Sequence, residues 1–264
     1  MTAHDVRAPA VAGLFYPGDA GALRAQLEQM LAENPAPGAP PKALIAPHAG
    51  YVYSGPVAAR AYSRLASHKS TMHRVVLLGP AHRVPLRGLA LPAADIFRTP
   101  LGDIELDAEA IARVAGLPQV TRSAAAHAQE HSLEVHLPFL QTLLENFTLV
   151  PLVVGWAQTS EIAAVLDALW GDEETLIVIS SDLSHYHDYI TAQRLDADTA
   201  RRIEARQFPI PDAQACGAFP INGLLSVAQT RRLRIERLDL RNSGDTAGDR
   251  QRVVGYGAWA LHAA

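Results

Sequence analysis

Three histidines stand where predicted strands of the chain end. His48, His82 and His185 each follow within a few residues of a short apolar run, respectively ALIA, VVLL and LIVIS. Such runs are typical of buried strands, and in an open parallel sheet the crevice beyond the carboxyl ends of the strands binds ligands. Neutral imidazole is the commonest protein ligand for zinc, iron, copper and nickel. We therefore expect the three histidines to meet, and two imidazoles from separate strands would make half of a metal site. A polar residue at a strand end also marks the return of the chain to water, so for any one histidine this interpretation stays open.

The single cysteine is the candidate third metal ligand. Cys216 stands beside Gly217 and just ahead of a helix predicted from Ile221, which favours a position in a loop or at the helix entry. A bound cation and a helix N-terminus would both stabilise a thiolate there. A lone cysteine is more often a small buried hydrophobe, and this alternative remains.

A polar segment, SSDLSHYH, follows the third apolar run. Asp182 and His185 stand three residues apart in it. Histidine titrates near neutrality, so we predict that His185 is a general acid or base and that Asp182 orients it as a second catalytic residue. The competing interpretation is that these polar groups cap the helix that begins near Asp188.

A second histidine pair suggests a different metal chemistry. His127, Glu130 and His131 form HAQEH, which matches the H-x-x-E-H pattern of one class of zinc peptidases. An apolar helical stripe begins at Leu133, so the sequence predicts that Glu130, His131 and Glu134 lie in the first turn of a helix. They either cap that helix or border the same crevice as the other histidines.

Predicted strands and helices alternate along the chain. Amphipathic stripes run from Leu23 to Leu31, from Ile162 to Trp170 after Thr159 and Ser160 as candidate N-caps, and from Ile221 to Ala228. Alternation of this kind predicts an α/β fold with a central, largely parallel sheet that tolerates mixed strands and is flanked by helices. We expect one domain over residues 1–264, because no linker composition supports a second domain near Glu204.

Composition excludes several classes of protein. With 264 residues, a hydrophobic share of 48% and a charged share of 19%, the chain can form a large core. Its net charge of -4 argues against nucleic acid as a partner, and the absence of a long apolar run argues against a membrane span. One cysteine allows no intrachain disulfide, and the N-terminal segment has no signal-peptide core, so we expect a cytoplasmic protein.

With these residues described, the chain resembles the Memo-like family, whose bacterial and archaeal members are called component B of the AmmeMemoRadiSam system. The matching segments occur in order along nearly the whole sequence: RAPAVAGLFYPGD (7–19), APHAGYVYSG (46–55), GPAH (79–82), EHSLEVHLPFL (130–140), SSDLSHY (180–186), and NSGDTAGD through VVGYGAWAL (242–261).

The resemblance implies a fold similar to LigB-type class III extradiol dioxygenases, which use non-haem iron(II). It also implies that His48, His82 and Cys216 are the metal ligands, with Asp182 and His185 beside them. The dioxygenases have a carboxylate where this chain offers a thiol, so ring cleavage is not inferred from the fold, and copper or zinc also suits the site.

These observations lead to three hypotheses of function. The first is a non-haem iron(II)-dependent oxidoreductase acting on an unknown small molecule. The second is a non-catalytic metal-binding or protein-interaction module, with a radical SAM protein of the AmmeMemoRadiSam system as a partner. The third is a zinc hydrolase that binds its metal through HAQEH.

Overall fold

The computed structural model describes residues 5–263, in which twelve strands alternate with helices. The strands are β1 (Val6–Arg7), β2 (Ala43–Ala46), β3 (Arg74–Pro80), β4 (Leu89–Leu91), β5 (Ile96–Thr99), β6 (Gly102–Glu105), β7 (Val120–Arg122), β8 (Thr148–Val154), β9 (Thr175–Ser180), β10 (His185–His187), β11 (Arg234–Asn242) and β12 (Val253–His262). The helices are α1 (Ala20–Glu33), α2 (Tyr51–Tyr62), α3 (Ala108–Ala115), α4 (Ala124–Ala128), α5 (Leu137–Leu143), α6 (Thr159–Leu169), α7 (Tyr189–Glu204) and α8 (Ala218–Thr230).

The main sheet is mixed, with a parallel centre. Its strand order is β10-β12-β2-β9-β3-β8-β4-β7, and β11 also pairs with β12. β2, β9, β3 and β8 run parallel to one another, whereas β12 and β4 join this group antiparallel. A separate small sheet has the order β1-β5-β6. The predicted α/β fold with a largely parallel, mixed sheet is confirmed.

Both faces of the sheet are buried, which explains why its central strands are continuous apolar runs. In β3, Val75 and Leu77 pack on one side and Val76 and Leu78 on the other. Side chains alternate across a strand, so one run of apolar residues supplies two cores. Helices α1, α2 and α5 cover the first face, and α3, α6, α7 and α8 cover the second.

The C-terminal part of the chain belongs to the same sheet. β12 pairs with β2 in register Trp259 to Ile45, and β11 pairs along most of β12. The structure is therefore one α/β domain, and the sheet continues past Glu204 without a break in the fold.

Two local predictions need correction. Thr159 and Ser160, the predicted caps, are instead the first two residues of α6, and the cap is Gln158, which forms a capping box with Glu161. The predicted helix from Leu133 begins only at Leu137, after a short 3₁₀ turn that includes Glu134. The side chains of Glu130 and Glu134 hydrogen-bond to distant segments, which accounts for the tighter 3₁₀ geometry in place of a regular α-helix before Leu137.

Among residues 5–263, no helix has the length and apolar character that a membrane crossing requires.

Candidate metal centre

The centre lies at the carboxyl ends of three neighbouring parallel strands. β2 leads to His48, β3 to His82 and β9 to Asp182. Ala46, the last residue of β2, pairs with Ser180, the last residue of β9, so these strands end level with each other. Since β9 lies between β2 and β3, the three following loops emerge side by side. The sequence-based expectation that His48 and His82 meet at this edge is met by the geometry.

The structure brings His131 into contact with these two histidines. His48, His82 and His131 each offer a ligand atom, and these atoms all lie within 4.8 Å of one another. The ring centroids of His82 and His131 are 4.7 Å apart, and that of His48 lies 5.2 Å from His82 and 5.5 Å from His131. From sequence alone, His131 is expected only at the border of the crevice or in a helix cap.

Hydrogen bonds determine which nitrogen of His82 is free. Its Nδ1 lies 2.9 Å from Oε1 of Glu130. Burial alone would raise the pKa of Glu130, but bonds from the His82 ring, the His82 backbone and the Ser132 backbone outweigh it and lower this pKa to about 2. An ionised carboxylate only accepts, so in the neutral ring Nδ1 of His82 carries the proton and Nε2 has the lone pair. That lone pair is available to a metal.

The Ser180 hydroxyl and the Ser132 backbone determine which nitrogen of His48 is free. The Ser180 hydroxyl donates to the Ser132 carbonyl oxygen at 2.6 Å and lies 2.5 Å from His48 Nδ1. Since its proton goes to Ser132, Ser180 accepts from Nδ1, and the lone pair of His48 lies on Nε2. Burial, followed by the neighbouring histidines, lowers the pKa of His48 well below its ordinary value. His48 is therefore neutral, as a metal ligand must be.

The third imidazole has an unused nitrogen. Burial lowers the pKa of His131 to about 4, so it too is neutral near pH 7. Its Nδ1 is buried and makes no hydrogen bond to any of residues 5–263, although it lies 3.3 Å from Oε1 of Glu130. A buried polar atom without a partner is costly, and coordination would satisfy it. Neutral nitrogen donors with free lone pairs fit a divalent transition metal.

Cys216 borders the cluster from the start of α8. Its Sγ lies 3.3 Å from Nε2 of His48 and accepts a hydrogen bond from the backbone N–H of Asp182 at 3.3 Å. Nitrogen and sulfur donors bound tetrahedrally to one zinc ion would be separated by about 3.6 Å, so this spacing suits a shared metal. Burial, with the nearby Asp182 carboxyl, raises the pKa of the thiol far above its ordinary value. Without metal, Cys216 is a protonated thiol.

Close backbone approach makes this arrangement possible. A Cβ at Gly217 would lie 2.5 Å from the carbonyl oxygen of Ser180, and one at Gly79 would lie 2.8 Å from the Ser132 hydroxyl oxygen. Glycine at these two positions therefore allows α8 and the segment around Ser132 to reach the strand ends.

Asp182 and His185 line the same pocket, and Asp182 is hydrogen-bonded to the backbone of His48. The Asp182 carboxylate accepts from the backbone N–H of His48 at 2.8 Å. Among the described residues, no hydrogen bond joins it to His185, so the geometry gives no support to the predicted orienting contact. Burial raises the pKa of Asp182 to about 7 and lowers the pKa of His185. Near neutral pH, Asp182 can exchange a proton and His185 can accept one.

The cluster opens into a pocket of about 1030 Å³. Its wall includes His48, His82, His131, Asp182, His185 and Cys216, together with the aromatic side chains Phe15, Tyr53, Tyr186 and Tyr256. Tyr186 is 64% exposed, and its backbone has a φ of 62°, which is rare for a bulky residue. The pocket is large enough for a small-molecule ligand in contact with the imidazoles.

Hydrogen bonds and an ion pair join the segment that carries His131 to Arg7 and Tyr16. The Arg7 guanidinium donates to the carbonyl oxygens of His127 and Glu130 and forms a buried ion pair with Glu134. Glu134 also accepts from the Tyr16 hydroxyl at 2.6 Å and from two backbone N–H groups. These bonds cross more than 110 positions of sequence, which is why no local pattern revealed them.

HAQEH does not form one metal site. His127 is buried against Phe97, and its Nε2 donates to the carbonyl oxygen of Ala90 at 2.8 Å. His131 faces the cluster with His48, and the Glu130 carboxylate is occupied by His82 and backbone N–H groups. Among residues 5–263, the group of metal-type donors contains His131 without His127.

The fold and the cluster together define an α/β protein with a histidine-rich, metal-type centre at the carboxyl edge of its sheet. The model of the Memo-like protein family matches residues 7–260, and the chain belongs to this family. A MEMO1 family protein of Aquifex aeolicus is 35% identical over 263 residues, covering 95% of this chain and 97% of the relative. One from Methanothermobacter thermautotrophicus is 37% identical, covering 95% and 98%.

The solved structure of an uncharacterized protein from Escherichia coli K12 is also similar. It matches with a TM-score of 0.49 and 16% identity, over 81% of this chain and 98% of that one.

Proposed function

We propose that this Memo-like protein is a metal-dependent oxidoreductase of the non-haem iron type that acts on a small molecule in the 1030 Å³ pocket. The observation that carries the proposal is the cluster of His48, His82 and His131, whose ligand atoms lie within 4.8 Å of one another at the pocket wall. The choice of iron(II) rests on the resemblance to LigB-type dioxygenases. Copper and zinc are the alternatives that the nitrogen and sulfur donors support.

His48 and His82 are proposed as ligands whether the third ligand is Cys216 or His131. Cys216 is the proposed third ligand, because its Sγ is 3.3 Å from His48 Nε2. His131 is the competing donor within the same cluster. A bound divalent metal would supply Lewis-acid chemistry, and iron or copper would add one-electron chemistry.

Asp182 and His185 are the proposed catalytic residues. Asp182, whose pKa is about 7, can give or take a proton beside the cluster. His185 stays neutral because burial lowers its pKa, so it can accept a proton from a substrate in the pocket. Together they would move protons to and from a substrate in the pocket.

The test is metal content of protein purified without oxygen and loaded with iron(II). About one iron per chain is expected for wild type, and His48→Ala and His82→Ala should lose it. His73→Ala is the matched control, because His73 is exposed at the opposite end of β3. Full metal retention by both cluster variants would refute the proposal. Oxygen uptake with a panel of catechols then tests oxidoreductase activity.

The same measurement separates the zinc-hydrolase alternative. His127→Asn should leave metal content unchanged, since His127 bonds to a backbone carbonyl away from the cluster. Loss of metal in this variant, with retention in His48→Ala, would instead support a site built on HAQEH.

An interaction module is a second candidate function, favoured by apolar side chains near the pocket. Leu14 is 80% and Val52 60% exposed, and both neighbour pocket-lining residues in sequence. A contiguous exposed apolar patch marks a protein contact, so Leu14 and Val52 are the side chains with which this function is tested. A radical SAM protein is the partner that the resemblance proposes, in the cytoplasm expected from the sequence. Capture of that protein by wild type, with loss of capture by Leu14→Asp and without oxygen uptake, would support this function.

A further inference from the structure

We propose that Glu130 is a positioning residue that holds the imidazole of His82 in its metal-binding orientation and fixes the backbone that carries His131. This inference rests on the proposed metal function and assigns a role to a carboxylate that is not itself a candidate ligand. Glu130 is 2% exposed, and its carboxylate lies between the end of β3 and the loop that carries His131.

Four hydrogen bonds use the two oxygens of this carboxylate. Oε2 accepts from the His82 backbone N–H at 2.6 Å, while Oε1 accepts from the His82 ring at 2.9 Å and from the backbone N–H groups of His131 and Ser132 at 2.9 Å each. All four donors belong to the segments that carry His82 and His131. The carboxylate therefore joins these two segments, which are separated by 48 positions of sequence.

The bond to the His82 ring has a chemical consequence. Because the carboxylate accepts, the neutral ring carries its proton on Nδ1 and has on Nε2 the lone pair that a metal needs. Loss of Glu130 would free the ring to rotate and to exchange its proton between the two nitrogens. Carboxylates that hold a ligating histidine in this way typically contribute a factor of about 10 to 100 in metal affinity.

Two substitutions separate the parts of this role. Glu130→Gln keeps a carbonyl oxygen for the ring but loses the bond from the His82 backbone, whereas Glu130→Ala removes all four bonds. We expect the dissociation constant for Zn²⁺, measured by competition with a chelator, to rise about 10- to 100-fold in Glu130→Ala and less in Glu130→Gln.

Nitrogen NMR of ¹⁵N-histidine-labelled, metal-free protein provides the readout that a merely structural role would not change. The His82 proton should be on Nδ1 in wild type and should be distributed over both nitrogens in Glu130→Ala. Glu134→Gln is the matched control, since Glu134 is a buried carboxylate of the same segment without a hydrogen bond to the clustered rings. It should keep the proton of His82 on Nδ1.

The outcomes are distinguishable from those of the proposed function. If wild type binds no metal, the proposed function fails, while the proton position on His82 still decides the role of Glu130. If wild type binds Zn²⁺ and both Glu130 variants bind within twofold of it with an unchanged His82 proton, the positioning role is refuted and the metal function stands. Should Glu130→Ala fail to fold, Glu130→Gln decides by the dissociation constant alone: a rise of more than twofold supports the positioning role, and a value within twofold of wild type refutes it.

Discussion

The identity of the third ligand predicts how many protons are released when zinc binds. In the metal-free protein, burial and Asp182 raise the pKa of the Cys216 thiol, so the thiol is fully protonated at pH 8.5. A thiolate ligand must lose that proton on binding. Zinc affinity of wild type should therefore rise about tenfold per pH unit, or about 1.4 kcal/mol, relative to Cys216→Ser.

The pH range from 7.5 to 8.5 isolates this proton. His48 and His131 are already neutral there, because burial lowers both pKa values. Asp182, with a pKa of about 7, is mostly ionised. Chelator competition at three pH values gives the slope, and calorimetry in two buffers of different ionisation enthalpy gives the proton count directly.

Equal slopes and equal proton counts in wild type and Cys216→Ser would refute thiolate coordination. His131 would then be the third donor, and His131→Ala should lose metal while Cys216→Ser retains it. If the thiolate is the ligand, His131→Ala should instead keep the wild-type slope, since a neutral imidazole brings no proton to release.

Three further predictions concern stability. Arg7→Met leaves the Glu134 carboxylate buried without its counterion and should lower the free energy of unfolding in urea by about 3–5 kcal/mol. Metal-free wild type should lose up to about 4 kcal/mol of stability as the pH rises from about 4 to about 7, because the folded Asp182 carboxyl keeps its proton to about pH 7 and the unfolded one does not. Asp182→Asn should not show this loss. Gly217→Ala should cost about 1–3 kcal/mol, because its Cβ would lie 2.5 Å from the last carbonyl oxygen of β9, whereas Gly116→Ala, with nothing within 4 Å, should be neutral or slightly stabilising.

Each stability prediction has a contrary outcome. An unchanged urea midpoint in Arg7→Met would show that the ion pair does not hold the segment of His131. Parallel pH profiles of wild type and Asp182→Asn would show that the folded carboxyl titrates like an exposed one. Similar losses in the two glycine variants would attribute the effect to the alanine itself rather than to the crowding at β9.

The sequence was sufficient for the elements that depend on local pattern. The apolar runs of β2, β3 and β9 predicted strands buried on both faces, and the structure confirms them because alternating side chains feed two cores. Asp188 was an expected helix start and is the N-cap of α7, since a side-chain cap needs only neighbours within three residues. Parallel strands with level ends also made the approach of His48 and His82 predictable.

The tertiary structure alone decided how the centre is completed. Cys216 is 168 positions from His48, and only the approach of α8 to the end of β9 brings its Sγ to 3.3 Å from the ring. His131 was expected in a helical turn, yet Arg7 and Glu130 bind its segment to β1 and to the end of β3. Bonds over such separations have no local periodicity. The residue types therefore determined which chemistry was available, and long-range packing determined which of these side chains lie together at the candidate metal centre.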